Sequence, residues 1–291
     1  MRALVLMAGL MLGGCAVAID EATVFAPPER ESPAASEAEL SARWLSATSD
    51  RPLDAAVSHG FVGAGETRIA YSIFRRPANE ARPLIVHCGG NAADRYNSGV
   101  GYAGKGLRFG DVLLFDYPGY GDSPGAPTAA ALEAASRNVA ALAASTAQGR
   151  PIVLWGHSLG GFICGVLAQD LPEASGLIFE TSARNAGDVA ASWTPWYADP
   201  LISVRIAEGL ARYDNAAAAR AFGKPVLVLG AARDDTLPVR LSRALAKAIE
   251  MQGGTVTYVE FPDANHRTVP QAPGFDAAVA AYLKTLERTE R

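Results

Sequence analysis

Along the chain from Thr67, short unbroken apolar runs alternate with stretches in which alanine and leucine recur at helical spacing. The runs cover Thr67–Phe74, Pro83–His87, Asp111–Asp116, Pro151–Trp155, Gly176–Glu180, Pro225–Leu229 and Thr255–Phe261. Helical patterns span Thr128–Ala147, Leu159–Asp170 and Phe275–Leu286, and another helix is expected to begin near Pro238. A strand that is apolar throughout has to be covered on both faces. The alternation therefore predicts an α/β fold over residues 55–291, a mostly parallel sheet of the eight-stranded type with helices on both sides. From about 183 to 223 the alternation lapses, and Trp193, Pro195, Trp196 and Tyr197 precede helical segments. That stretch is expected as a small lid over the carboxyl end of the sheet, where ligand crevices lie in such folds.

The first residues follow a different pattern. Arg2 precedes an apolar stretch, Ala3 to Leu12, which ends in Leu12-Gly13-Gly14-Cys15 and resembles a bacterial lipobox. The resemblance implies a signal peptide over residues 1–14 and a lipid on Cys15. Such an anchor holds a protein on a membrane surface in the cell envelope, here the periplasmic face of the outer membrane, without crossing the bilayer. No apolar run is long enough for an ordinary spanning helix. Residues 15–54 are polar and rich in Ala, Pro, Ser and Glu, and are expected as a tether with one helix around Ser36–Leu45. The formal net charge of −4 argues against a nucleic-acid partner. Of the remaining cysteines, Cys88 and Cys164 are expected as buried free thiols, although an oxidising compartment would allow them to pair.

Candidate chemistry enters with Gly-x-Ser-x-Gly, which occurs twice, at Gly121–Gly125 and Gly156–Gly160. Ser158 lies between an apolar strand and an immediate helical start, the context of a nucleophile elbow. Ser123 is followed by Pro124, which has no N–H to donate to a reacting oxygen, and reads as a turn residue. A serine nucleophile needs a histidine base, and that base needs a carboxylate to orient it. Of the four histidines, His59 and His87 precede the serine and His157 adjoins it with its ring expected to turn away, leaving His266. The acid is expected in the loop after Pro225–Leu229, where Asp234 and Asp235 compete, with Asp263 a third option. The oxyanion donors are expected to be the N–H groups of Leu159 and of Asn91, with Gly90 second to Asn91.

With these residues assembled, the chain from Ala55 onward resembles the α/β-hydrolase superfamily. His87-Cys-Gly-Gly-Asn91-Ala92 and Asp116-Tyr-Pro-Gly-Tyr-Gly-Asp-Ser123 are similar to segments of a branch containing membrane-associated lysophospholipid and acyl-ester hydrolases. The acid motif of that branch matches Asp234-Asp-Thr-Leu-Pro238 and selects Asp234, and its histidine motif resembles Ala264-Asn265-His266. Two departures stand out: one residue is added in the oxyanion loop, and Pro118 replaces an arginine. The resemblance implies a serine hydrolase acting on a small-molecule or lipid acyl ester through an acyl-enzyme, with no metal and no organic cofactor. Thioester or peptide cleavage on the same residues is an alternative, as is an inactive hydrolase fold that binds without catalysis.

Overall fold

The computed structural model describes residues 15–29, 32–50, 53–76, 82–193 and 202–289. Ten strands and ten α-helices follow in chain order among them. Strand β1 (Cys15–Ile19) and helices α1 (Glu21–Val24) and α2 (Glu37–Thr48) precede β2 (Ala56–Val62), β3 (Ile69–Arg75) and β4 (Leu84–Cys88). Then come α3 (Gly99–Gly106), β5 (Asp111–Phe115), α4 (Ala129–Ala147), β6 (Ile152–His157), α5 (Gly160–Asp170) and β7 (Gly176–Glu180). After α6 (Ala186–Trp193), β8 (Ile202–Ile206), α7 (Glu208–Ala211) and α8 (Asn215–Phe222), the chain closes with β9 (Val226–Ala231), α9 (Arg240–Met251), β10 (Val256–Phe261) and α10 (Phe275–Thr289).

Eight strands form one sheet in the order β10-β9-β7-β6-β4-β5-β3-β2, antiparallel only where β3 meets β2 and β5. The expected mostly parallel sheet is what forms, because its inner strands alternate side chains between two apolar layers. Ile152 and Leu154 of β6 join the core under α4, α5 and α9, whereas Val153 and Trp155 join the core under α10. Helix α9 shows the matching pattern: Leu241, Leu245, Ala246 and Ile249 are buried, while Arg240, Arg243 and Glu250 face out. Several elements escaped the pattern reading, β2 and α3 of the main domain among them. Strand β2 lies at the sheet edge and is only partly covered, so its apolar run is broken by Ser58, His59 and Gly60. Helix α3 is rich in glycine, a poor helix former, and depends on packing of Val100, Ala103 and Lys105.

The described part of the expected tether folds onto the domain instead of hanging free. Ser36 caps α2 by accepting from Glu39 N–H, and Glu39 reaches back to the N–H of Ala35. The helix buries Leu40 and Trp44, and Phe25 enters the main core. A few well-spaced apolar side chains suffice to dock a stretch whose average composition is polar. Residues 1–14, expected as a signal peptide, lie outside the described residues, as do Pro195, Trp196 and Tyr197 of the expected lid. Among the described residues no helix is long and apolar enough to cross a membrane. Within 183–223, β8 pairs in parallel with β1 to make a separate two-stranded sheet, and α8 buries Ala216 and Ala219 in the core.

Cys88 and Cys164 are joined in a disulfide, which corrects the expectation of free thiols. The last residue of β4 and the middle of α5 come within 5.9 Å at Cα because α5 packs directly on the end of the strand. A sequence separation of 76 hides that proximity from any local pattern. Closing so long a loop constrains the unfolded chain by about 4 kcal/mol in the loop-entropy picture. The Cys88→Ala/Cys164→Ala variant is therefore expected to unfold at a clearly lower urea concentration than the oxidised protein. A midpoint unchanged by the substitution or by dithiothreitol would show that the bridge contributes no stability.

Candidate active site

The parallel strands deliver their carboxyl ends to one edge. Cys88 pairs with Gly156 and His157 with Glu180, so the loops after β4, β6 and β7 start side by side. The loops after β9 and β10 meet next to them, tied by Ala232 N–H to Phe261 O at 3.0 Å and Arg233 N–H to Ala264 O at 2.9 Å.

Between β6 and α5 the backbone turns within two residues, and Ser158 takes a φ of +56°, a left-handed conformation that costs a non-glycine residue about 1–2 kcal/mol. The turn closes only because its flanks lack side chains. A Cβ on Gly160 would collide with the Cys88 carbonyl oxygen, and one on Gly156 would collide with that of Gly160. The backbone is held by Ser158 N–H donating to Glu180 O at 2.9 Å and by the Ser182 hydroxyl donating to Ser158 O at 2.9 Å. Leu159 caps α5, so its amide sits in the first turn, where N–H groups lack helical carbonyl partners. Ser123, the other motif serine, is buried, and its Oγ accepts from Ala70 N–H and donates to Asp116 O. It is a structural turn residue.

His266 Nδ1 lies 2.7 Å from Asp234 Oδ2. The other carboxylate oxygen of Asp234 accepts from the N–H groups of Thr236 at 2.9 Å and Leu237 at 2.8 Å, which fixes the rotamer. Asp235 is exposed and, among the described residues, has its side-chain hydrogen bond from the Thr236 hydroxyl, while Asp263 pairs with Arg233. On the histidine side, Asn265 Oδ1 accepts from the N–H groups of Arg267 and Thr268 and shapes the loop that presents His266. The structure thus brings Asp234 and His266 together and leaves Asp235 and Asp263 aside.

His157 does not turn away, contrary to expectation. Its ring is 5.0 Å from that of His266, centre to centre, and its Nε2 lies 3.0 Å from the His266 carbonyl oxygen. Burial pushes His157 down to a pKa of about 4, so the ring is neutral near pH 7. Because Nε2 faces an oxygen that can only accept, it carries the proton. Nδ1 then accepts from the Tyr102 hydroxyl at 3.2 Å, and that oxygen accepts from Gly90 N–H at 3.2 Å. Burial raises Tyr102 to about 12 and keeps it a phenol. Below this chain, Lys105 Nζ meets Glu180 Oε2 at 2.6 Å, and Trp155 donates to the same oxygen. Burial lowers the Lys105 ammonium; it would raise Glu180, but Lys105 outweighs it and holds that carboxyl below its usual range. A single lysine in a glycine-rich helix and a glutamate ending an apolar strand were the only sequence signals of this buried pair.

Asn91 is at the surface, and its amide follows two glycines. Of the two residues weighed for the loop, Gly90 has its N–H committed to the Tyr102 hydroxyl. A cavity of about 690 Å³ is lined by Asn91, Ser158, His157 and His266 together with Arg108, Arg267 and Gln271. Among the described residues no cluster of His, Cys, Asp and Glu has a metal-holding arrangement.

Comparison with known proteins agrees with this architecture. An uncharacterised protein of Mycobacterium tuberculosis is 32% identical over 199 residues, which is 66% of this chain and 66% of that protein. The lysophosphatidylserine lipase ABHD12 of Danio rerio is 23% identical over 242 residues, covering 72% of this chain and 60% of its own length. The chain therefore spans about two thirds or less of these relatives. Among solved structures, a Pyrococcus furiosus esterase superposes with a TM-score of 0.63 at 14% identity, over 90% of this chain and 98% of that one. A Pyrococcus horikoshii acylaminoacyl peptidase gives 0.57 at 12% identity, over 85% and 43%. At such identities these two structures speak for the fold alone. Residues 84–281 match the family model described as the alpha/beta hydrolase family, and with the sheet order and elbow described above, the chain belongs to that family.

Proposed function

We propose that the protein is a serine hydrolase of carboxylic esters that works through Ser158, His266 and Asp234. The observation that carries this reading is the 2.7 Å contact between His266 and Asp234 next to a cavity that His266 shares with an elbow serine. With Nδ1–H given to Asp234, His266 Nε2 takes the proton of Ser158 as Oγ attacks the acyl carbonyl. The N–H groups of Leu159 and Asn91 receive the oxyanion. The imidazolium then passes its proton to the leaving alkoxide oxygen as that C–O bond breaks, and the acyl group remains on Oγ. Water that gives its proton to His266 attacks the acyl-serine, and the carboxylic acid departs as Oγ regains the proton.

Lipid or lysophospholipid acyl esters are the substrate class we favour. The relatives named as lysophosphatidylserine lipases support it, as does Arg267, whose side chain lines the cavity with no ion-pair partner among the described residues. A guanidinium there suits a phosphate or carboxylate on the leaving group. An acylated Cys15, detectable by mass spectrometry of membrane fractions, would keep the enzyme at its substrate's surface.

A fluorophosphonate probe is expected to label the wild-type protein at Ser158, and p-nitrophenyl esters and 1-acyl lysophospholipids to be hydrolysed. A folded protein that resists the probe would refute the reading and favour a binding role for the fold. Arg267→Gln is expected to raise KM for an anionic lysophospholipid by about 2- to 5-fold, the scale of an exposed ion pair, with the neutral p-nitrophenyl ester unaffected. Equal effects on both substrates would remove Arg267 from substrate recognition.

A further inference from the structure

The N-terminal segment meets the active site at one residue. Asn91 Oδ1 accepts from Ala26 N–H at 2.9 Å, from the Tyr120 hydroxyl at 2.9 Å and from Ala92 N–H at 3.1 Å. Its Nδ2 donates to Val24 O at 2.8 Å. An exposed asparagine ordinarily spends its amide on water; here the amide binds three separate parts of the chain. The segment is secured independently ahead of these contacts and between them. Asp20 caps α1 through Thr23 N–H at 2.8 Å, Glu21 accepts from Ala129 N–H at 3.1 Å at the start of α4, and Phe25 is buried in the main core.

The loop being gripped needs an outside hold. It enters through two glycines, held at the Gly89 carbonyl by the Tyr117 hydroxyl and at the Gly90 N–H by Tyr102, and leaves through Ala92, whose φ of +56° is unfavourable for a residue with a side chain. Strained backbone of this kind persists only where its surroundings fix it. The Asn91 side chain supplies such a fixture directly beside its own amide.

We propose that Asn91 is a positioning residue: its side chain clamps Val24–Ala26 to the loop after β4 and so aims its own N–H at the oxyanion. This rests on the reading of Ser158 as nucleophile and of the Asn91 amide as donor. The N-terminal segment is then a working part of the site, contributed from a stretch whose composition reads as a leash.

The test is a double-mutant cycle on the full chain with a p-nitrophenyl ester. Asn91→Ala removes the clamp and leaves the backbone donor. Ala26→Pro removes the N–H that Asn91 accepts, and Phe25 before it is already extended at φ −92°, ψ 110°, the conformation a following proline favours. Each single variant is expected to lower kcat about 10- to 100-fold with KM nearly unchanged and with its melting temperature close to wild type. The double variant should fall no further than the worse single, because both changes cut the same link. Unchanged kcat in either single variant overturns the proposal, as do losses that multiply in the double variant or losses that follow melting temperature alone. If the wild-type protein turns over no ester and resists the fluorophosphonate, the functional reading fails before the clamp is at issue.

Discussion

Alanine at Ser158 is expected to lower kcat for ester hydrolysis by about 10⁵- to 10⁶-fold, with His266→Ala close behind and the double variant no worse than either. The three groups act as one device, so the first removal forfeits nearly all of it. Asp234→Asn should cost about 10⁴-fold. An amide at this position can turn its NH₂ toward Nδ1 and hold the ring in the wrong tautomer. Asp235→Asn is the control: that carboxylate is exposed and, among the described residues, bonded to a hydroxyl alone, so activity should stay within about twofold. Burst kinetics with a p-nitrophenyl ester would read all five variants. Comparable losses at positions 234 and 235, or substantial turnover without Ser158, would overturn the assignment.

Arg95→Met is expected to destabilise the fold by about 3–5 kcal/mol, a large share of the 5–15 kcal/mol that holds a typical domain together. The Arg95 guanidinium is fully buried between two carboxylates, with Nε 2.9 Å from Asp116 and an Nη 2.8 Å from Asp122. A second Nη donates to the Ser72 hydroxyl, and the Arg95 N–H itself donates to Asp116. Asp122 keeps a partner in Arg43 and a bond from Tyr96, but among the described residues Asp116 has no other cation in contact. Burial already pushes the Asp116 carboxyl up against the pull of Arg95, so losing the guanidinium leaves a charge stranded in the core. Urea unfolding should show the loss, and adding Asp116→Asn should return part of it. A full-strength Arg95→Met protein would mean that water or relaxation reaches this cluster.

The same cluster explains the Asp116-to-Ser123 motif, which was legible as a string but not as a purpose. Its two aspartates tie the loop after β5 to Arg95 and so to the loop that carries Asn91, while its serine holds the loop to Ala70 of β3. Other parts were legible for physical reasons. The elbow could be read because a buried strand, a turn and a helix leave distinct local patterns around Ser158. His266 followed from position in the chain. Asp234 and Asp235, by contrast, differ in nothing local. What separates them is which one receives the N–H groups of Thr236 and Leu237 and faces a loop 32 residues away. The disulfide, the contact of His157 with His266, and the docking of α2 and Phe25 are likewise non-local. Each joins residues whose spacing has no period, so no window along the chain contains the signal.

The sheet order has a consequence for the protein while it is being made. The serine emerges on β6, at the middle of the sheet, but His266 follows β10, the outermost strand on its side and the last to leave the ribosome. A nascent chain that has folded through β9 therefore displays the elbow and Asp234 with no imidazole to deprotonate the serine. On the proposed triad, the serine becomes reactive only once β10 has paired with β9 and brought the histidine loop into place. A chain that ends after β9 lacks both the histidine and helix α10, which covers Val153 and Trp155, and on that triad a fluorophosphonate is not expected to label it.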